Sequence, residues 1–173
     1  MKLQHFILAG FLGFVFSSCD LSGRMESTPR FGFQAMHIVN GDTTVLNFHH
    51  VPDTILVGDT IHFQTWLDGG FHGLTEFRIT PSQRRSVEFI WLPKDSLDLH
   101  FTNASDYERG IFMMDGTFWG LHFPFQYVAL EADEDLILSF TVQNAGSRNY
   151  NTTTVSIRTP IKEAKTEDDE ELY

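Results

Sequence analysis

The sequence predicts an all-β protein, a β-sandwich of about seven or eight strands. Three observations carry this. Apolar side chains recur at every second position in several segments, the spacing that lines one face of a strand. In Thr60 to Leu67, Ile61, Phe63, Thr65 and Leu67 alternate with His62, Gln64 and Trp66, and in Asp135 to Gly146 a second stripe is formed by Leu136, Leu138, Phe140 and Val142. Turn-forming clusters separate these segments, and no long amphipathic helix is written between them. Two sheets that press their apolar faces together bury such stripes, so a sandwich follows, with a small barrel as the structural alternative. The 173 residues, 42% hydrophobic and 20% charged, hold one globular domain with appendages.

The first element is a leader. Lys2 supplies a short basic start, an apolar run follows from Leu3 to Phe16, broken mainly by Gly10 and Gly13, and small residues precede Cys19. As a helix that run spans about 21 Å, short of the roughly 30 Å hydrocarbon core, so a permanent membrane span is not expected. The segment resembles a bacterial lipoprotein signal peptide. Phe16-Ser17-Ser18-Cys19 resembles its lipobox, with Phe and Ser where Leu and Gly or Ala are commoner, a looseness shared by Bacteroidota lipoproteins. The resemblance implies removal of residues 1–18 and a thioether from Cys19 to diacylglycerol. It further implies a lipid-anchored protein of the bacterial cell envelope, with the outer membrane as its expected site. The chemistry of the thiol agrees: the chain's only cysteine has no intramolecular disulfide partner, and lipidation consumes a group that export would expose to oxidation.

Residues 19–33, rich in polar residues, Gly and Pro, read as a flexible tether. Residues 161–173 carry six acids and two lysines and read as a disordered, solubilising tail. The sandwich is expected over 34–160.

Within it, Thr60 to Leu67 is a half-buried strand, and Leu74 to Thr80 follows after a glycine-rich turn with Phe77 and Ile79 opposite Glu76 and Arg78. Ser86 to Leu92 is nearly all apolar, as in an inner strand, and Pro93 ends it. Leu97 to Phe101 alternates again, the run Gly110 to Gly116 is a short strand, and Phe118 to Val128 is a long one in which Trp119, Leu121, Phe123 and Phe125 share parity. Pro124 marks that last segment as an edge, a bulge or an irregular crossing. The stripe from Leu136 to Val142 turns through Asn144 to Asn149 into a final strand with Val155 and Ile157 inward.

Two stretches, Ile55 to Ile79 and Leu136 to Ile157, resemble the opening strand-turn-strand and the closing hairpin of immunoglobulin-like domains of Bacteroidota surface lipoproteins. The resemblance implies an immunoglobulin-like sandwich without the inter-sheet disulfide of antibody domains, and it carries no ligand site.

Function is less directly written. A net charge of −11, from 23 acidic and 12 basic residues, argues against nucleic acid as a partner. No HExxH, GxSxG or phosphate-cradling glycine loop occurs, so no catalytic residue, metal ligand or cofactor is assigned. A metal-dependent or acid/base enzyme, built from scattered histidines and acids, stands as the last alternative. Trp66, with Gln64 and His62 on the non-core parity of their strand and His72 in the next turn, is the candidate ligand-binding surface. Thr43, Thr54, Thr60 and Ser96 each follow an aspartate in a pattern resembling Bacteroidota O-glycosylation sites. Each aspartate equally suits a turn cap. The resulting expectation is a non-enzymatic envelope protein, held to the membrane through lipid at Cys19. It docks or assembles with another envelope protein; binding a glycan as an accessory protein is the alternative.

Overall fold

The computed structural model describes residues 27–39, 42–147 and 149–164. The leader, Cys19, the first part of the tether and residues 165–173 lie outside the described residues. The chain forms β1 (Arg30–Val39), β2 (Asp42–Phe48), β3 (Ile55–Leu56), β4 (Thr60–Asp68), β5 (Leu74–Pro81), β6 (Val87–Ile90), the short helix α1 (Lys94–Leu97), β7 (Ile111–Met113), β8 (Gly120–Ala129), β9 (Ile137–Asn144), β10 (Thr152–Arg158) and β11 (Ile161–Lys162).

The architecture is all-β. Five antiparallel strands lie in the order β2-β1-β4-β8-β6 and four in the order β10-β9-β5-β7, while β3 and β11 form a small parallel pair. The alternation in β4 is realised as read: Ile61, Phe63, Thr65 and Leu67 are buried, and the residues between them are not. Leu136, Leu138, Phe140 and Val142 are all fully buried. Rings from the two sheets meet in one core. Phe140 of β9 approaches Phe31 of β1 at 4.8 Å and Phe63 of β4 at 5.9 Å, and Phe112 of β7 approaches Phe123 of β8 at 4.8 Å between ring centroids.

Several local readings change. β1 begins at Arg30 and buries Phe33, so residues 30–33, assigned to the tether, are strand; pairing with β4 along nine positions overrides the Gly-Pro-rich composition just before them. Ile161, assigned to the tail, is buried and paired with Ile55. Leu97 to Phe101 is a helical turn, not a strand: the Phe101 N–H donates to the Leu97 carbonyl, which still buries both side chains because positions four apart share a helical face. β6 is an edge strand despite its apolar run; Val87 and Phe89 point toward the core, while Ile90 is exposed. Pro124 sits in β8 between two strands, yet β6 reaches only to Gln126. Pro124 is therefore flanked by β4 alone and locally occupies an edge, where a missing N–H is tolerated.

Candidate functional site

The outer face of the five-stranded sheet is built by the parity opposite to the core. On β4 it carries His62, Gln64 and Trp66, so the structure brings these three together as predicted. Register then supplies their neighbours. Trp66 pairs with Gly32 on β1 and His122 on β8, Gln64 with Gln34 and Pro124, and His62 with Met36 and Gln126. β2 adds Phe48 opposite Gln34 and Val45 opposite Met36.

Gly32 has no side chain of its own beside Trp66; the His49 ring lies within 4 Å of where its Cβ would stand, and Phe48 reaches Trp66 from that side. Its ring lies 5.4 Å from the Trp66 ring at 42°, while the His122 ring lies 5.4 Å away on the β8 side at 29°. Three rings thus stand side by side as a ridge. Phe48 is 58% exposed and Trp66 38%. Trp66 thus has a ring on its β1 side and a ring on its β8 side. Val45 and Ile90, both exposed, lie on the same face at the two ends of the row Val45–Met36–His62–Gln126–Ile90, with Gln34 and Gln64 between that row and the ridge.

Beside the ridge lies a recess of about 190 Å³, lined by His62, Gln64, Ile90, Leu92, Pro124 and Gln126 among others. The side-chain amides of Gln64 and Gln126 meet Nε2 and Nδ1 of His62 at 2.7 and 3.1 Å. Both glutamines turn their amide nitrogen, Nε2, to the ring; a neutral imidazole has one acceptor nitrogen, so one of the two donates to it, and the other contact becomes a hydrogen bond when that amide turns to present its oxygen. Burial lowers the His62 pKa below its ordinary value, favouring that neutral form. The arrangement holds two amide groups in fixed orientation at the floor of the recess.

His72 is not brought to this face. Its ring lies against Gly146 in the β9–β10 turn, with Nε2 buried and unpartnered among the described residues, because the β4–β5 turn folds toward the other sheet. Of the candidate modification sites, Thr43 and Thr54 are exposed, whereas Thr60 and Ser96 are half-buried. Phe48, Gln34, His122 and Gln126 complete the face; from sequence His122 stands only among the scattered histidines, and the other three are not singled out. The parity of β8 could have pointed to His122 and Gln126, but only pairing with β4 places them beside Trp66 and His62.

A second polar group sits near the opposite end of β4. Asp59 is buried and its Oδ2 accepts hydrogen bonds from His37 Nε2 at 2.7 Å and from the Leu56 N–H at 2.9 Å. This ties β1 to the turn between β3 and β4. The Tyr127 and Thr159 hydroxyls are buried nearby without a well-formed partner, and burial raises the Tyr127 pKa. Among the described residues, no group of three or more His, Cys, Asp or Glu side chains is placed to hold a metal ion. No protein-family model matches the sequence, and no curated protein matches it.

Proposed function

We propose that this chain is a non-enzymatic, lipid-anchored protein of the bacterial cell envelope whose two stacked sheets form an immunoglobulin-like sandwich that docks another envelope protein. The observation that carries the docking reading is the Phe48–Trp66–His122 ridge on an outer sheet face. With Phe48 58% and Trp66 38% exposed and a ring on either side of Trp66, the ridge is an apolar relief suited to the side chains of a folded partner, while the flanking rings narrow the open ring face that a sugar would need. The anchor rests on the apolar run that ends at Cys19. Accessory glycan binding is the second reading, favoured by the oriented amides of Gln64 and Gln126 in the recess beside the ridge.

A photo-crosslinking amino acid at Val45, on the ridge face, or at Thr154, exposed on the outer face of the other sheet, separates these readings in the native cell. A discrete protein adduct is expected from position 45 and not from 154, and Phe48→Ser is expected to abolish it. No protein adduct, or equal adducts from both positions, overturns the docking reading. Sugar binding lost in Trp66→Ala would carry the second reading instead.

A further inference from the structure

The exposed aromatic residues of the described chain are unevenly distributed. Phe48, Trp66, Phe71, Trp119 and Tyr150 all lie toward the end of the sheets where β1 begins, β4 ends and β8 begins. At the opposite end the exposed large apolar residues are aliphatic: Val39, Leu56, Leu130 and Ile137. Ridge residues account for two of the five rings. The other three sit in loops, with Phe71 53%, Trp119 61% and Tyr150 51% exposed.

Those three loops are bound to one another and to the incoming chain. The buried Asn144 side chain donates from Nδ2 to the Gly69 carbonyl at 2.8 Å and to the Ser27 carbonyl at 3.0 Å, and its Oδ1 accepts the Gly146 N–H at 3.0 Å. The Gly69 N–H donates to the Trp119 carbonyl at 2.7 Å, and the Phe71 N–H donates to Ser27 Oγ at 3.0 Å. Gly73 presses onto Gly116 so closely that a Cβ would lie 1.6 Å from its carbonyl oxygen. The loops bearing Phe71 and Trp119 are therefore locked together, and the loop bearing Tyr150 joins them through Asn144. One amide serves as hub for a ring-bearing end, and the chain coming from Cys19 arrives at that hub.

We propose that this end rests on a zwitterionic phospholipid surface, with Phe71, Trp119 and Tyr150 seated at headgroup level. The proposal rests on the reading of Cys19 as the lipid anchor. From Cys19 to Ser27 the chain spans at most about 29 Å even when fully extended, so an acylated Cys19 keeps this end close to the bilayer. Aromatic rings favour the boundary between hydrocarbon and water, where an apolar body and a polar handle are both accommodated. Charge agrees with the orientation. The last described residues, after β11, lie at the far end beside Val39, about a ten-residue strand or roughly 33 Å away, and the acids of residues 167–171 come after them in the sequence. Asp68 and Asp115 near the rings accept hydrogen bonds from the Gly70 and Thr117 N–H groups, and Arg30 stands opposite Asp68, so among the described residues this end carries no cluster of cations to favour an anionic surface and suits a zwitterionic one.

The test uses full-length protein, processed and purified from its own membranes, in phosphatidylcholine–phosphatidylethanolamine vesicles carrying brominated acyl chains. Bromine placed at the headgroup end of the acyl chain quenches tryptophan seated at the boundary between headgroups and hydrocarbon. Wild-type emission is expected to be quenched, and the quenching is expected to be lost in Trp119→Phe, which leaves Trp66 and Trp91 in place. Phe71→Ser combined with Tyr150→Ser, both exposed, is expected to weaken quenching of Trp119 without changing the denaturation midpoint. Equal quenching in wild type and Trp119→Phe, or none in either, overturns the proposal, and a protein partner for these rings would give that second result. Intact mass of the same preparation reports on the anchor separately. Acylated Cys19 without Trp119 quenching leaves the anchor and removes the lipid contact. Unmodified Cys19 removes the anchor, and quenching of protein added to preformed vesicles then decides the ring contact by itself.

Discussion

Phe140→Ala tests whether the two sheets share the core that their rings imply. Phe140 belongs to β9, is fully buried, and lies between 4.8 and 6.2 Å, centroid to centroid, from Phe31, Phe33, Phe63 and Phe125, all on the other sheet. Truncation removes the apolar surface of the ring and leaves a cavity between rigid sheets, a loss of about 3–5 kcal/mol. The upper half of that range is expected, because four surrounding rings cannot all collapse inward. Urea denaturation followed by tryptophan emission reads the loss: with an m value of about 2 kcal/mol per molar, the midpoint falls by roughly 2 M. Trp66→Ala is the control. Its ring is partly exposed and loses two lateral ring contacts, together about 1–3 kcal/mol, so its midpoint falls by roughly 0.5–1.5 M. A Phe140→Ala midpoint within about 0.5 M of wild type, or a larger loss for Trp66→Ala, would refute the assignment of one ring to the core and the other to the surface.

The remaining predictions concern His62 and Cys19. Burial places the folded pKa of His62 below its ordinary 6.5, so the unfolded chain binds more protons as pH drops through that window. The contribution of His62 is therefore fully present above pH 6.5 and lost as pH falls through the folded pKa. Denaturation midpoints at pH 7.5 and about 5 are expected to differ more for wild type than for His62→Gln; an equal difference removes His62 from the pH dependence. Cys19→Ser is expected to abolish labelling by a palmitate analogue and to yield an unprocessed precursor or a released product, while the fold persists. Labelling that survives the substitution, or an unmodified cysteine in the wild-type mass, removes the lipid anchor.

Much of the fold was legible because strand periodicity is local. The stripes Ile61-Phe63-Thr65-Leu67 and Leu136-Leu138-Phe140-Val142 name their own buried faces, and the same parity turns His62, Gln64 and Trp66 outward. Elements whose state depends on a distant partner were misread. The strand over Arg30–Phe33 follows from β4 pairing beside it, and the edge position of β6 follows from sheet order, which apolar content does not encode. Leu97 and Phe101 fit a strand face by alternation and a helical face by their spacing of four; Lys94–Leu97 resolves as a helical turn.

For function, the sequence by itself determined the chain's polarity: an apolar run ending in a lone cysteine at one end, and a cluster of acids at the other. It also determined that Trp66 points away from the core. Only the tertiary structure decided what stands beside that ring. Phe48 and His122 come from strands 18 residues before and 56 after it, and nothing in the local chemistry of either segment specifies that they flank one indole. Trp119 shows the same limit from the other side. It shares the parity of buried Phe123 and Phe125, but β8 begins one residue later, so Trp119 stands in the loop before the strand and its ring meets solvent. Parity assigns a side chain to a face only within a strand, and where the strand begins is decided by its pairing with a distant partner.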